Sequence, residues 1–86
     1  MNDYNNFPPL PLFKKALNNT PQSALVYAQV WELVRFGKSK YQKKDVKNSF
    51  LMSPTLFRAR LLSLAKLDLI SFEESADNFS VKLGAK

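Results

Sequence analysis

The pattern of apolar and polar residues predicts helices in the first two thirds of the chain. Residues 24–36 are apolar apart from polar positions spaced three apart, which is typical of a helix largely enclosed by the core. Thr20 and Pro21 supply a start signal, because Thr caps free backbone N–H groups and proline fits the first helical position. Gly37 stands where a left-handed C-cap is expected. We therefore predict a central core helix over residues 20–36.

Two shorter helices, joined by a tight turn, are predicted next. Residues 43–50 place Val46 and Phe50 on one helical face and leave the lysines on the other. The pair Ser53-Pro54 repeats the cap-and-proline signal, and the helix that it opens is predicted to end at about Leu67. Two helices joined by so short a turn indicate a helix-turn-helix.

The pattern becomes extended towards the end of the chain. Residues 69–73 and 79–83 alternate apolar and polar positions, and residues 74–78 between them have the composition of a turn. We therefore predict a two-stranded antiparallel hairpin. The expected fold class is α+β, with about three helices followed by this hairpin.

An N-terminal arm over residues 1–19 is predicted to precede a single domain over residues 20–86. Residues 1–11 hold three of the five prolines and are expected to be extended. A short helical turn is expected over residues 12–17, and Asn18-Asn19 is expected to break it. The arm is expected to pack onto the domain through Phe7, Leu10 and Leu12.

Composition excludes several kinds of chemistry. The 86 residues include no His and no Cys, which rules out a zinc finger, haem ligation, a cysteine nucleophile and a Ser-His-Asp relay. The seven acidic residues are scattered, and they predict neither a metal site nor a catalytic pair. We expect no enzyme activity, cofactor, metal ion or small-molecule ligand.

No targeting or membrane segment is predicted. The first six residues lack a basic stretch followed by an apolar one, and no apolar run approaches the roughly 20 residues needed to span a bilayer. We expect a cytoplasmic protein without membrane contact.

The positive charge is concentrated in one part of the chain. The net charge is +6, yet residues 35–60 carry +7 and the rest of the chain carries −1. A solvated, lysine-rich surface is one interpretation. The other is a surface that contacts phosphates, which attract such charge whatever the base sequence.

The order helix, helix, turn, helix and hairpin resembles the winged helix-turn-helix superfamily, in particular its small prokaryotic, plasmid and phage regulators. Residues 53–70 are similar to a recognition helix and its passage into the first wing strand, and Val81-Lys82-Leu83 is similar to the second strand. The resemblance covers about residues 22–84. It implies a winged-helix fold and double-stranded DNA as the partner.

Two features depart from that superfamily's pattern. Asp68 replaces the glycine usual at the end of the recognition helix, so a left-handed conformation there falls on a residue that tolerates it less well. The wing loop, residues 73–78, is acidic where DNA-contacting wings are basic. Because phosphate repels acidic groups, we expect this wing to contribute little to DNA contact.

The resemblance implies that the outward face of the third predicted helix enters the major groove. At about 100° per residue, Phe57, Leu61 and Leu64 point to the core. Arg58 flanks the opposite face, where it is the candidate for a bidentate contact with guanine. Arg60 is expected at the helix edge, contacting phosphate or a carboxylate. The carboxylates considered as partners of Arg60 are those of Asp68 and Glu32.

The candidate DNA contacts combine a lysine clamp for phosphates with the outward helix face. Leu62 suits either a thymine methyl group or a protein interface. The predicted set is Lys38, Lys40, Lys43, Lys44, Lys47, Ser53, Thr55, Arg58, Ala59, Arg60, Leu62 and Lys66.

Two functions follow from these predictions. The first is a sequence-specific protein for double-stranded DNA, either a small transcriptional regulator or a plasmid or phage replication or partition factor. A repressor would be a homodimer, formed through the arm and the first predicted helix. The alternative is a winged-helix module for protein–protein interaction without DNA binding, using Leu56, Leu62 and the aromatic first helix.

Overall fold

The computed structural model describes residues 7–84 and has four helices and a three-stranded antiparallel sheet. The expected α+β class is therefore confirmed. The elements in chain order are α1 (Leu10–Asn19), α2 (Pro21–Arg35), β1 (Lys40–Gln42), α3 (Lys43–Phe50), α4 (Pro54–Lys66), β2 (Ile70–Glu74) and β3 (Asn78–Leu83).

Side-chain caps fix the starts of α2 and α4, as the sequence predicts. The Thr20 hydroxyl accepts the Ser23 backbone N–H at 2.9 Å, and the Ser53 hydroxyl accepts the Leu56 backbone N–H at 3.1 Å. A proline follows each cap, where its missing N–H loses no helical hydrogen bond. Local chemistry thus sets where both helices begin.

The helical turn expected over residues 12–17 is confirmed and extends further in both directions, whereas the extended conformation expected for residues 10 and 11 is wrong. The arm region forms α1, a helix of ten residues that begins immediately after Pro9. Pro11 lies in the first turn, where proline is compatible with a helix, so the proline-rich stretch starts a helix instead of preventing one. Ala16 is fully buried, which anchors α1 on α2. Residues 1–6 of the predicted arm lie outside the described part of the chain.

The sheet has one strand more than the sequence predicted. The hairpin is confirmed as β2 and β3, displaced by one residue from the predicted strand starts, with Phe72 opposite Val81. The additional strand is β1, which pairs with β3 so that Tyr41 lies opposite Phe79 and the strand order is β1-β3-β2. A three-residue strand has too short an alternation to be distinguished from a connecting loop.

Aromatic side chains from the sheet and helices form the centre of the core. Phe57 of α4 is fully buried, and its ring centroid lies 4.3 Å from that of Phe50 and 5.3 Å from that of Phe79. Tyr41 packs edge-on against Phe57 and donates its hydroxyl to the Lys38 carbonyl at 2.8 Å. This cluster joins α3, α4 and the sheet and so fixes the positions of their solvent-facing sides.

Three turns use left-handed backbone. Gly37 has φ of 89°, as expected after α2, and Asp68 has φ of 62° after α4, where it replaces the usual glycine. Leu51 in the turn between α3 and α4 has φ of 59° and is 85% exposed, which the sequence did not predict. Left-handed backbone is unfavourable for residues with a Cβ atom, so both non-glycine positions reduce stability.

Candidate nucleic-acid interface

The outward face of α4 is accessible to a ligand. Thr55 and Lys66 are exposed, Leu62 is 48% exposed, and Ala59 is half-buried. Phe57 on the opposite face is fully buried, as the predicted helical orientation requires. The predicted contact face of this helix therefore lies at the surface, and its role in DNA contact stays a prediction.

A row of lysines lies on the exposed side of α3. Lys44 borders a depression next to Asp77 in the β2–β3 turn, and Lys47 borders another beside the α3–α4 turn. Both side chains are exposed, because Val46 and Phe50 occupy the buried side of the helix. Within residues 7–84 the structure shows no ion pair for either lysine. Both charges are thus available to phosphates.

The other predicted clamp lysines have different surroundings. Lys38 and Lys40 are exposed on the segment that enters α3, and Lys38 borders a groove that Asp45 also lines. Lys43 is held in place, since its backbone N–H donates to the Asp77 carbonyl at 2.8 Å and its ammonium lies 5.3 Å from the Phe79 ring centroid. The five predicted clamp lysines therefore differ in their surroundings.

Glu74, at the end of β2, binds two of the predicted DNA-contacting side chains. Its carboxylate accepts hydrogen bonds from Arg58 Nε and Nη2, each at 2.7 Å, and from Lys43 Nζ at 2.6 Å. The Arg58 side chain remains 42% exposed despite this contact. The acidic end of the β2–β3 hairpin is thus joined directly to α4 and α3. No local spacing predicts these contacts, because they depend on how the hairpin packs against α4.

The cluster of Glu74, Arg58 and Lys43 is charged at neutral pH. Hydrogen bonds from Arg58 and then from Lys43 lower the pKa of Glu74 from 4.5 to about 2. The same hydrogen bond and the nearby carboxylate raise the pKa of Arg58. With one anion and two cations, the cluster keeps a net positive charge beside the exposed face of α4.

Arg60 faces α2 instead of the hairpin. Its Nη1 donates to the Thr20 hydroxyl at 3.3 Å, and its Nε is buried without a hydrogen-bond partner among the described residues. The prediction of a carboxylate partner is therefore wrong in this part of the chain: neither Asp68 nor Glu32 forms an ion pair with it. The sequence placed Arg60 correctly at the helix edge but gave no indication that a capping hydroxyl would meet it. Its contact with phosphate stays a prediction.

The Ser53 hydroxyl already has a structural role, and the same group would have to make its predicted DNA contact. The Ser53 hydroxyl oxygen accepts the N–H of Leu56 at the start of α4. Its residue is exposed, so the hydroxyl proton is accessible to an acceptor on a ligand.

Other kinds of site receive no support from the described residues. Residues 7–84 contain no group of three or more acidic, His or Cys side chains that could hold a metal ion. None of the helices in that range is long and apolar enough to cross a membrane. No protein-family model, curated protein or solved structure matches this chain.

Proposed function

We propose that the protein is a winged helix-turn-helix protein that binds double-stranded DNA, with α4 in the major groove and the lysines of α3 on the phosphate backbone. The observation that carries the proposal is that exposed Lys44 and Lys47 lie on α3 beside the β2–β3 turn and the α3–α4 turn respectively, while the outward face of α4 is itself exposed. A basic helix next to an accessible second helix suits backbone contact and base contact respectively.

The topology supports this proposal. Helices α3 and α4 are separated by a three-residue turn, and β2 and β3 follow directly as a hairpin. The short strand β1 pairs with β3 and ties the start of α3 to the sheet. This layout agrees with a winged helix in which the hairpin forms the wing.

The placement of negative charge also favours an anionic ligand at α3. Asp45, the acidic residue within α3, lines the groove against Gln29 and Leu33 of α2, away from the depression that Lys47 borders, and one acidic residue, Asp77, lines the depression that Lys43 and Lys44 border. The lysine side of α3 therefore has a positive potential that attracts phosphates.

In this proposal the protein acts without a cofactor, as a small transcriptional regulator or as a plasmid or phage replication or partition factor. A homodimer on a two-fold site is part of the proposal. Leu25 and Phe36 on and just after α2, together with Leu17 on α1, are among the exposed apolar residues available to such an interface.

A protein-interaction module is the second candidate. Leu51 is 85% exposed and Leu62 is 48% exposed, and both lie in the same helix-turn-helix as the lysines. Exposed apolar residues of this size favour a protein interface when they form one patch. DNA binding separates the two candidates.

The test measures binding to a random-sequence DNA duplex by fluorescence anisotropy as the salt concentration rises from about 50 to about 200 mM. Combined Lys44→Ala and Lys47→Ala should weaken binding and reduce the slope of log affinity against log salt by about 2, because two phosphate contacts are lost. Lys14→Ala with Lys82→Ala is the matched control, since it removes the same charge from α1 and β3. Absence of wild-type binding at about 50 mM salt would contradict DNA binding.

A further inference from the structure

We propose that Glu74 is a positioning residue that orients Arg58 for contact with a guanine base, an inference that rests on the DNA-binding function proposed above. It assigns a specific use to an acidic wing that otherwise only repels phosphate. The wing then affects base preference without touching the DNA.

The geometry of the ion pair leaves the useful edge of Arg58 open. Glu74 binds the side of the guanidinium that carries Nε and Nη2, at 2.7 Å from each nitrogen. A guanidinium has five N–H groups, so the end that carries one N–H from each Nη atom is still available. That end has the spacing that matches O6 and N7 of guanine. One carboxylate and one guanine can therefore bind Arg58 at the same time.

Glu74 is itself firmly placed. It pairs with Phe79 in the β2–β3 ladder, and Lys43 Nζ contacts its Oε2 at 2.6 Å. The backbone of Lys43 is fixed in turn by the Asp77 carbonyl. A carboxylate fixed by strand pairing and a second cation holds the flexible arginine side chain in one orientation, which reduces the conformational entropy lost when a base binds.

The position of Arg58 on α4 brings its open edge to the candidate contact face. Arg58 follows Thr55 by three residues and precedes Leu62 by four, so the three side chains are neighbours on the helix surface. All three are at least partly exposed. The low pKa of Glu74 means that its carboxylate stays ionised at neutral pH, and the ion pair persists under the conditions of DNA binding.

The opposite role for Glu74 is a lock that keeps Arg58 away from DNA. The two roles predict opposite changes in base preference. Removal of a positioning carboxylate lowers the preference for guanine, whereas removal of a lock raises it. Generic affinity does not distinguish them, because loss of a negative charge strengthens phosphate attraction in both cases.

The experiment selects bound sequences from a pool of randomised DNA duplexes and measures guanine enrichment at each position. The wild-type protein should enrich guanine at a position where Arg58→Ala loses it. Glu74→Gln should reduce this enrichment by about tenfold, as expected for one disturbed bidentate contact, while affinity for random duplexes rises. Glu74→Asp keeps the charge but shortens the reach, so it should reduce the enrichment at unchanged generic affinity.

Glu73→Gln is the matched control. Glu73 is the neighbouring acidic residue, it is exposed, and it borders a depression on the sheet with Phe72 and Lys82, without an ion pair among the described residues. Glu73→Gln removes the same charge as Glu74→Gln and should leave guanine enrichment at the wild-type level. Equal guanine enrichment in Glu74→Gln and Glu73→Gln would overturn the inference. Higher guanine enrichment in Glu74→Gln than in the wild type would also overturn it. So would a wild-type protein that shows no guanine preference dependent on Arg58. In those cases lysine-dependent binding to DNA would still stand, whereas absence of all DNA binding would overturn the proposed function as well.

Discussion

The two sides of α4 use the same residue type for different purposes. On the hairpin side, Arg58 is paired with Glu74 and keeps much of its side chain in solvent. On the α2 side, Arg60 contacts the hydroxyl that caps α2, and its Nε is buried. The two residues are separated by one position in sequence but point about 200° apart on the helix. Helical position, not residue type, therefore decides which arginine is available to a ligand.

The surroundings of each arginine explain the difference. The hairpin side supplies a carboxylate, which fixes a charged group without removing it from the surface. The α2 side supplies a neutral hydroxyl, which suits contact between two helices but leaves the buried Nε–H of Arg60 without a partner among the described residues. We therefore expect substitutions on the hairpin side to change ligand binding, and substitutions on the α2 side to change stability.

The largest loss of stability is expected from replacement of Phe57, whose buried ring supports both sides of α4. Phe57→Ala removes a fully buried ring between Phe50 and Phe79 and should lower the free energy of unfolding by about 3–5 kcal/mol. Urea denaturation followed by circular dichroism measures this change. In Phe57→Ala, the side chains of Arg58 and Arg60 should both lose their fixed positions. A loss below about 1 kcal/mol would mean that α4 does not depend on this cluster.

A smaller loss of stability is expected on the α2 side, and it should exceed the loss caused by removing an ordinary helix cap. Thr20→Ala removes the cap of α2, the hydrogen bond that the Thr20 hydroxyl donates to the buried Ser23 Oγ and the partner of Arg60, and it should lower the free energy of unfolding by about 1–2 kcal/mol. Ser53→Ala is the matched variant, because it removes the cap of α4 and no arginine contact, and it should lower that energy by about 1 kcal/mol. Thermal denaturation compares the two. A larger loss for Ser53→Ala would show that the Arg60 contact adds nothing.

Replacement of Arg60 should have still less effect. Arg60→Met keeps most of the side-chain volume and removes the buried, unpaired Nε, so the free energy of unfolding should change by less than about 1 kcal/mol. Arg60→Ala removes the apolar stem as well and should be less stable than Arg60→Met. Urea denaturation gives both values. Loss of guanine preference in Arg60→Met would break the division between the two sides.

The smallest effect should be the change with pH in the stability that the Glu74 ion pairs on the hairpin side provide. The pKa of Glu74 is about 2 in the fold against an ordinary 4.5, so its ion pairs stabilise the protein above pH 4.5 and lose that effect as the pH falls towards 2. Wild type should therefore have a higher melting temperature than Glu74→Gln at pH 7, and the two should converge near pH 2. Thermal scans across this range, with Glu73→Gln as control, measure it. A difference that stays constant with pH would exclude the ion pair as its cause.

Local signals were sufficient for most of the helical structure. The starts of α2 and α4 depend on a capping side chain and the proline after it, all within a few residues, and both were predicted correctly. The core side of α4 followed from helical periodicity, with Phe57 buried and Thr55 exposed. The prolines before and within the first turn of α1 are ambiguous in sequence, because proline favours both an extended chain and the first turn of a helix.

The contacts that define the candidate site are non-local and could not be predicted from spacing. β1 exists because β3, nearly forty residues later, pairs with it. The Glu74–Arg58 pair requires the end of β2 to pack beside the first half of α4. From the sequence alone, the acidic loop over residues 73–78 predicts only repulsion of phosphate, because the position of Glu74 relative to Arg58 depends on this packing.

The left-handed residues at the two ends of α4 have a consequence for protein engineering. Leu51 precedes the helix and Asp68 follows it, and each adopts a backbone conformation that glycine adopts at about 1 kcal/mol less. Neither belongs to the buried core. Glycine at these positions would provide a more stable starting sequence, in which libraries of α4 variants could tolerate the destabilisation that most substitutions bring.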